Sequence, residues 1–253
     1  MTKQESLALA ERAARVAGAF LASNPDRSAG RLTETMRDIK LRADRDAEDR
    51  IVDVLDESHI AIVAEERSGE AEEGTVTGPR WIVDPLDGTM NYVQGIPFCC
   101  VSVALWEDDE PVAGAVYDFD HNEMFSAIVG VGAWLNGSAM CVRKAKPERA
   151  VLCTGFPVGT DFTPVAVSRF VEQVRTFRKV RLLGSAALSL AYVASGRADV
   201  YFERDIRIWD VAAGLALVRG AGGAFVSAPS PLHHALSLYA HNGDCPWPEP
   251  VFT

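Results

Sequence analysis

The stretch Trp81-Ile82-Val83-Asp84-Pro85-Leu86-Asp87-Gly88-Thr89-Met90-Asn91-Tyr92 holds the residue types best suited to chemistry. Asp84 and Asp87 flank a bend and can converge on one point. Neighbouring carboxylates repel unless a proton or a cation lies between them, and hard oxygen ligands suit Mg2+. Gly88 permits a tight turn and a close approach, and Thr89 adds a hydroxyl beside exposed N–H groups. Together they can hold a phosphate, above all if a helix begins there. Asp-Pro and Asp-Gly are also ordinary turn pairs, so this stretch alone leaves both readings open. More acid follows other apolar runs: Glu65 and Glu66 come after Ile60-Ala61-Ile62-Val63-Ala64, and Asp210 after Ile206-Arg207-Ile208-Trp209. Four carboxylates drawn together would need about two divalent ions to neutralise them, the charge pattern of two-metal phosphoryl hydrolysis. Taken singly, Asp44 and Asp210 read as N-caps of the helices they precede.

The elements that must position these acids follow from periodicity. Leu7, Ala10, Ala14, Ala17, Phe20 and Leu21 recur at helical spacing, and Asn24-Pro25-Asp26 ends that helix. Residues 25–32 read as a loop. A second helix opens at Asp44, with Ile51, Val54 and Leu55 inward. His59 to Ala64 reads as a strand, followed by an acidic loop from Arg67 to Pro79. Trp81 to Val83 reads as a buried strand that Pro85 stops. Phe98–Trp106 and Pro111–Tyr117 read as neighbouring strands joined at Glu107–Glu110. Met124–Val129 and Ala133–Leu135 continue the sheet, with Asn136-Gly137 a hairpin signal. Beyond a charged boundary at Lys144–Arg149, strands at Val151–Thr154, Val180–Leu183 and Ala198–Glu203 alternate with helices at Val165–Phe177, Ser185–Ala194 and Val211–Arg219. The expected class is α/β, with an α+β half over 1–145 carrying most of the acids and an α/β half over 146–253 carrying Asp210.

Of 253 residues, 48% are hydrophobic and 24% charged, which is ample for a buried core. A formal charge of −10 makes a nucleic-acid partner unlikely on electrostatic grounds. No apolar run approaches the roughly eighteen residues that span a bilayer. The first residues lack a signal-peptide pattern, and the five cysteines show neither metal spacing nor a disulfide framework. The chain reads as cytoplasmic, with Cys99 and Cys100 as buried free thiols. His233, His234 and His241 lack ligand spacing and read as surface or structural residues.

Several segments resemble the inositol monophosphatase family, within the group that includes fructose-1,6-bisphosphatases. Ala64-Glu65-Glu66 is similar to its G-E-E segment, Asp84-Pro85-Leu86-Asp87-Gly88-Thr89 to its D-P-[IL]-D-G-T signature, and Trp209-Asp210-Val211-Ala212-Ala213-Gly214 to its W-D-x-A-[AG]-G signature. Asn91-Tyr92, Gly95-Ile96-Pro97-Phe98 and Gly184-Ser185-Ala186-Ala187 fit as well, in order from about Leu7 to near the C-terminus. The resemblance implies a layered αβαβα sugar-phosphatase fold. It implies hydrolysis of inositol monophosphate, or a similar polyol or sugar phosphate, by water activated by about two to three Mg2+ ions per site. Glu65, Asp84, the Leu86 carbonyl, Asp87 and Asp210 would hold the ions, and Gly88 and Thr89 the phosphate. Asp44, Thr89 and Glu65 would be catalytic, Asp44 pairing with Thr89 to position the water. Asp87, Gly184, Ser185, Ala186, Glu203 and Asp210 would meet the substrate. Glu66 reads as a supporting carboxylate. Lithium sensitivity and a homodimer are further family expectations.

This chain departs from the family at three places. Thr33 and its neighbours stand where a lysine-rich loop is common, Arg207 where histidine is frequent, and Met90 where threonine is usual. The metal chemistry is untouched by these changes, but the natural substrate is left open between polyol phosphates and histidinol phosphate, a sugar bisphosphate or 3′-phosphoadenosine 5′-phosphate. An aspartyl-phosphate mechanism would need a second Asp where Leu86 stands. A regulatory protein that binds the transcription machinery is the alternative of another class.

Overall fold

The computed structural model describes residues 1–34, 39–67, 78–156 and 160–246. Most of the loop expected over 67–79, and the side chain of Thr33, lie outside them.

Helix α1 (Lys3–Ser23) starts with a reciprocal cap, Glu5 N–H donating to Thr2 Oγ1 (3.2 Å) and Thr2 N–H to Glu5 (2.7 Å), and it buries Leu7, Ala10, Ala14, Ala17 and Leu21. At the end of the loop expected over 25–32, β1 (Arg31–Glu34) begins, and it pairs antiparallel with β2 (Ile39–Leu41), which was not expected. Helix α2 (Arg42–Leu55) begins earlier than periodicity suggests, so Asp44 lies inside its first turn and is not the N-cap. The reason is local: Leu41 stands at the cap and cannot accept a bond through its side chain, while Asp44 reaches back to accept the Leu41 N–H (2.7 Å).

β3 (Ala61–Ala64) pairs parallel with β4 (Arg80–Asp87). Contrary to expectation, β4 runs through Pro85. The register to the next strand shifts between Asp84 and Asp87, and the β3 pairing ends at Val83, so Pro85 sits in a bulge where no ladder donor is required. The short helix α3 (Thr89–Gln94) follows, then the antiparallel run β5 (Cys100–Glu107), β6 (Glu110–Asp118), β7 (Glu123–Ile128), β8 (Gly132–Leu135) and β9 (Ser138–Met140). The β5–β6 and β8–β9 turns have left-handed pairs, Asp108-Asp109 and Asn136-Gly137, as two-residue hairpins require. Cys99 and Cys100 are buried free thiols, as expected.

The chain then builds a second sheet from β10 (Val151–Thr154), α4 (Pro164–Val174), β11 (Lys179–Leu182), α5 (Ala186–Ala194), β12 (Val200–Arg207), α6 (Ile208–Gly220), β13 (Ala224–Pro229) and β14 (Ala235–His241). Strand order is β11-β10-β12-β14-β13, parallel in the first three and antiparallel beyond. Sequence reasoning missed β13 and β14, and it placed the start of α6 too late. Helix α6 opens at Ile208, so Asp210 is in its first turn and Arg207 is the N-cap.

Side-chain alternation explains the layers. In the first sheet Trp81, Val83, Val101, Val103 and Leu105 face α1 and α2, while Ile82, Cys100, Ala104 and Trp106 face α5 and α6. Both faces are buried, which is why these strands read as continuous apolar runs. On β12, Tyr201 points inward to α5 and α6, whereas Val200 and Phe202 point outward to a smaller cluster that takes in Val174 at the end of α4. The result is the αβαβα layering that the family resemblance implies.

Candidate functional site

The acids meet where β4 of the first sheet faces α5, β12 and α6. β3 ends at Ala64, and the Glu65 N–H donates to the Val83 carbonyl (3.2 Å), which sets Glu65 beside the end of β4. Asp84 is 1% exposed, and its Oδ1 accepts the Leu86 N–H (2.9 Å) across the bulge. Asp87 Oδ2 accepts two bonds from the other half of the chain, from Ser185 Oγ (2.6 Å) and the Ala187 N–H (2.6 Å). Ser185 caps α5 at the same time, taking the Leu188 N–H (3.2 Å). The Asp210 and Asp84 carboxyls lie close enough for each to alter the other's proton affinity. The turn of α6 that carries Asp210 is held to β5 by Ser102 Oγ donating to the Trp209 carbonyl (3.4 Å) and Trp106 Nε1 to the Ala212 carbonyl (3.2 Å).

This concentration of carboxyls shows in their proton affinities. Asp84 is held well above the usual carboxylate range, by burial first and then by Glu65, Asp87 and Asp210. Asp210 is raised in the same way, by burial, then by Asp87, Glu65 and Glu203. Burial pushes Asp87 up to about 6, against the lowering effect of its bonds to Ser185 and the α5 backbone. Burial also pushes Glu203 up to about 7, the Tyr201 hydrogen bond opposing this and Asp87 adding to it.

The donor set is four carboxylates with the Leu86 carbonyl, all oxygen, which is what a hard divalent cation takes. Among the described residues no three acids yet surround one point as ligands. Asp84 is turned to the Leu86 N–H of the bulge and Asp87 to α5, so holding a cation would take side-chain rotation. Gly88 adopts φ +92°, and a Cβ there would lie 3.0 Å from the Phe98 carbonyl oxygen and 3.2 Å from that of Gly184, so the turn suits glycine alone. Thr89 opens α3, and its hydroxyl donates to the Leu86 carbonyl (3.1 Å). Asp44 is buried, near enough to α3 for its charge to be felt at Tyr92. Gly184, Ser185 and Ala186 form the entry to α5 beside Asp87, and Glu203 borders the acids from β12.

Glu66 is directed elsewhere. Its N–H donates to Glu48 (2.8 Å), and its carboxyl lies 3.6 Å from Arg45. Arg207 donates to the His233 carbonyl and lies over Trp209, 5.9 Å from the ring centre. Met90 is exposed on α3. Sequence reasoning overlooked Asn91, whose Nδ2 donates to the carbonyls of Phe98 and Leu183 (2.8 Å each) and so joins α3 to the approach to α5. It also overlooked Tyr201, whose hydroxyl donates to Glu203 Oε2 (2.6 Å). The alternation of β12 was the available signal for Tyr201; nothing local announces the role of Asn91.

The chain is similar to known proteins in sequence and in fold. The sequence profile of the inositol monophosphatase family matches residues 2–241. A protein of Pasteurella multocida named Nus factor SuhB is 39% identical over 223 residues, covering 86% of this chain and 83% of that one. A Nus factor SuhB of Xylella fastidiosa is 45% identical over 162 residues, 60% of this chain and 57% of its own length. Among solved structures, an inositol monophosphatase from Anabaena superposes with a TM-score of 0.81 at 32% identity, covering 95% of this chain and 92% of that one.

Proposed function

This chain belongs to the inositol monophosphatase family, and we propose that it is a Mg2+-dependent phosphomonoesterase acting on inositol monophosphate or a similar small polyol or sugar phosphate. One observation carries this reading: buried carboxyls from both halves of the chain, Asp84 and Asp210 with Glu65 and Asp87, lie close enough to raise proton affinity at the site, and cations would let such a group stay ionised.

Glu65, Asp84, the Leu86 carbonyl, Asp87 and Asp210 would hold the ions, about two to three in all. Bound there, Mg2+ would neutralise the phosphate oxygens, acidify water and stabilise the departing alkoxide. The chain's own groups do the rest. The Gly88 turn and the Thr89 hydroxyl hold the phosphate, Asp44 with Thr89 orients and accepts a proton from the attacking water, and Ser185 with the Ala187 N–H fixes Asp87. Gly184, Ser185, Ala186 and Glu203 line the leaving-group side. Phosphate release screened over small phosphomonoesters, with Mg2+ and with chelator, tests the reading. No Mg2+-dependent release from any polyol or sugar phosphate, with histidinol phosphate and 3′-phosphoadenosine 5′-phosphate also inert, would sink it. Lithium is expected to inhibit.

The name of the SuhB relatives favours a second reading, a regulatory protein of the transcription machinery, and weighs against treating a nucleic-acid partner as unlikely. Co-purification with RNA polymerase, compared between the native chain and Asp84→Asn, separates a scaffold role from hydrolysis. We also propose a homodimer. Helix α4 carries no buried residue and exposes Val167 and Val171 on one side, so it offers an apolar strip for a second copy, which analytical ultracentrifugation would reveal. A cytoplasmic location is part of the same proposal; among the described residues no helix is long and apolar enough to cross a membrane.

A further inference from the structure

Glu203 and Tyr201 stand two apart on β12, so their side chains leave the same face of the strand, the one turned to α5 and α6. Both are nearly sealed, at 7% and 1% exposure. The Tyr201 phenol is held far up, by burial and then by the Glu203 charge beside it, so it remains a donor. It gives that hydrogen to Glu203 Oε2 at 2.6 Å. Beneath the carboxyl lies Gly155, just past β10: a Cβ at this position would stand 2.6 Å from Oε2 and 2.8 Å from Oε1. No side chain fits there without lifting the carboxyl away. Among the described residues Tyr201 is its hydrogen-bond partner, which leaves Oε1 and a lone pair of Oε2 able to accept from a ligand. On its other side Glu203 borders Asp87 and Asp210.

We propose that Tyr201, seated with Gly155, is a positioning residue for substrate selection: it fixes Glu203 so that Oε1 accepts hydroxyl hydrogens from a polyol leaving group. The inference rests on the phosphatase reading. The Tyr201 hydroxyl is spent on Glu203, so its influence on the substrate runs through that carboxyl. Loss of its hydroxyl therefore penalises substrates that bring hydroxyls to Glu203 more than those that do not.

The test measures kcat/KM of the full chain with Mg2+ on inositol 1-phosphate and on p-nitrophenyl phosphate, which has no ring hydroxyls. Tyr201→Phe should lower the inositol-to-nitrophenyl ratio about tenfold, as expected for losing a hydrogen bond to a charged group. The loss should sit in KM. Gly155→Ala, which displaces the carboxyl from the other side, should lower the ratio in the same direction. In a Glu203→Gln background, Tyr201→Phe should lower it little further, because the two act as one unit. An unchanged ratio, an equal loss on both substrates, or full additivity with Glu203→Gln would overturn the inference. A native chain that hydrolyses neither substrate would overturn the inference; the phosphatase reading falls with it only if the wider phosphomonoester panel is inert as well.

Discussion

Asp199 and Asp84 are both sealed in the interior, at 0% and 1% exposure, yet their surroundings are opposite. Asp199 sits where the second sheet meets the segment after β9. Its Oδ1 takes Arg143 Nε (3.1 Å) and Asn242 Nδ2 (3.4 Å), and its Oδ2 takes the Val151 N–H (2.8 Å) and the other arm of Arg143. Around Asp84 there is one backbone donor, from Leu86, and otherwise three further carboxyls. A folded chain holds a buried charge by giving it partners. Asp199 has them within the chain and is therefore structural. Asp84 has a single donor, and in the proposed function a cation from solution completes it. Burial of acid does not mark a site; burial of acid facing acid does.

Four measurements would break or sharpen this contrast. The largest effect is expected on activity: Asp84→Asn and Asp210→Asn should each cut Mg2+-dependent phosphate release by about a thousandfold or more. Substantial turnover in either would remove that acid from the ion site. Next, Arg143→Ala should destabilise the fold by about 3 kcal/mol in urea unfolding, because it strands a buried charge. Its KM and kcat on whatever substrate emerges should move far less than its stability does. A third test is pH in the presence of chelator. The folded value of Asp87, about 6, lies above its ordinary 3.8, so the folded chain holds that proton more tightly. This contribution is fully present below about pH 4 and is lost as pH rises through about 6, roughly 3 kcal/mol in all. Asp84 and Asp210 are raised in the same direction and add to the loss, and saturating Mg2+ should flatten the curve. A flat curve without Mg2+ would contradict the strained-acid picture. Smallest, Asp210→Asn should raise chelator-treated stability by about 1 kcal/mol, whereas Asp199→Asn should lower it. The same sign for both would erase the distinction.

Much of the site was legible because its acids follow apolar runs, and the chain can bury such acids only with compensation. Glu65, Asp84, Asp87 and Asp210 are brought to one place, as the four-carboxylate pattern suggested. Boundaries were legible where capping or turn chemistry is local, as at Asn24 and Asn136-Gly137. They were misread where tertiary contacts decide. Pro85 stays within a strand because the bulge excuses its missing donor, and α6 absorbs Ile208 and Trp209 because its neighbours bury them. Phe225 and Val226 lie on a strand that β14 defines by pairing, with half-exposed side chains that give little alternation to read. The grips of Ser185 on Asp87 and of Asn91 on Leu183 span about a hundred residues, beyond the reach of any local rule.

The two-faced strands of the first sheet have a consequence for how the chain can be handled. Ile82, Cys100, Ala104 and Trp106 rest on helices that the ribosome delivers only later, α5 and α6. A fragment ending near residue 145 would carry those side chains bare on a broad, flat wall. Such a piece would clump instead of standing alone, and during synthesis the nascent first half must wait, shielded or loosely formed, until its lining arrives.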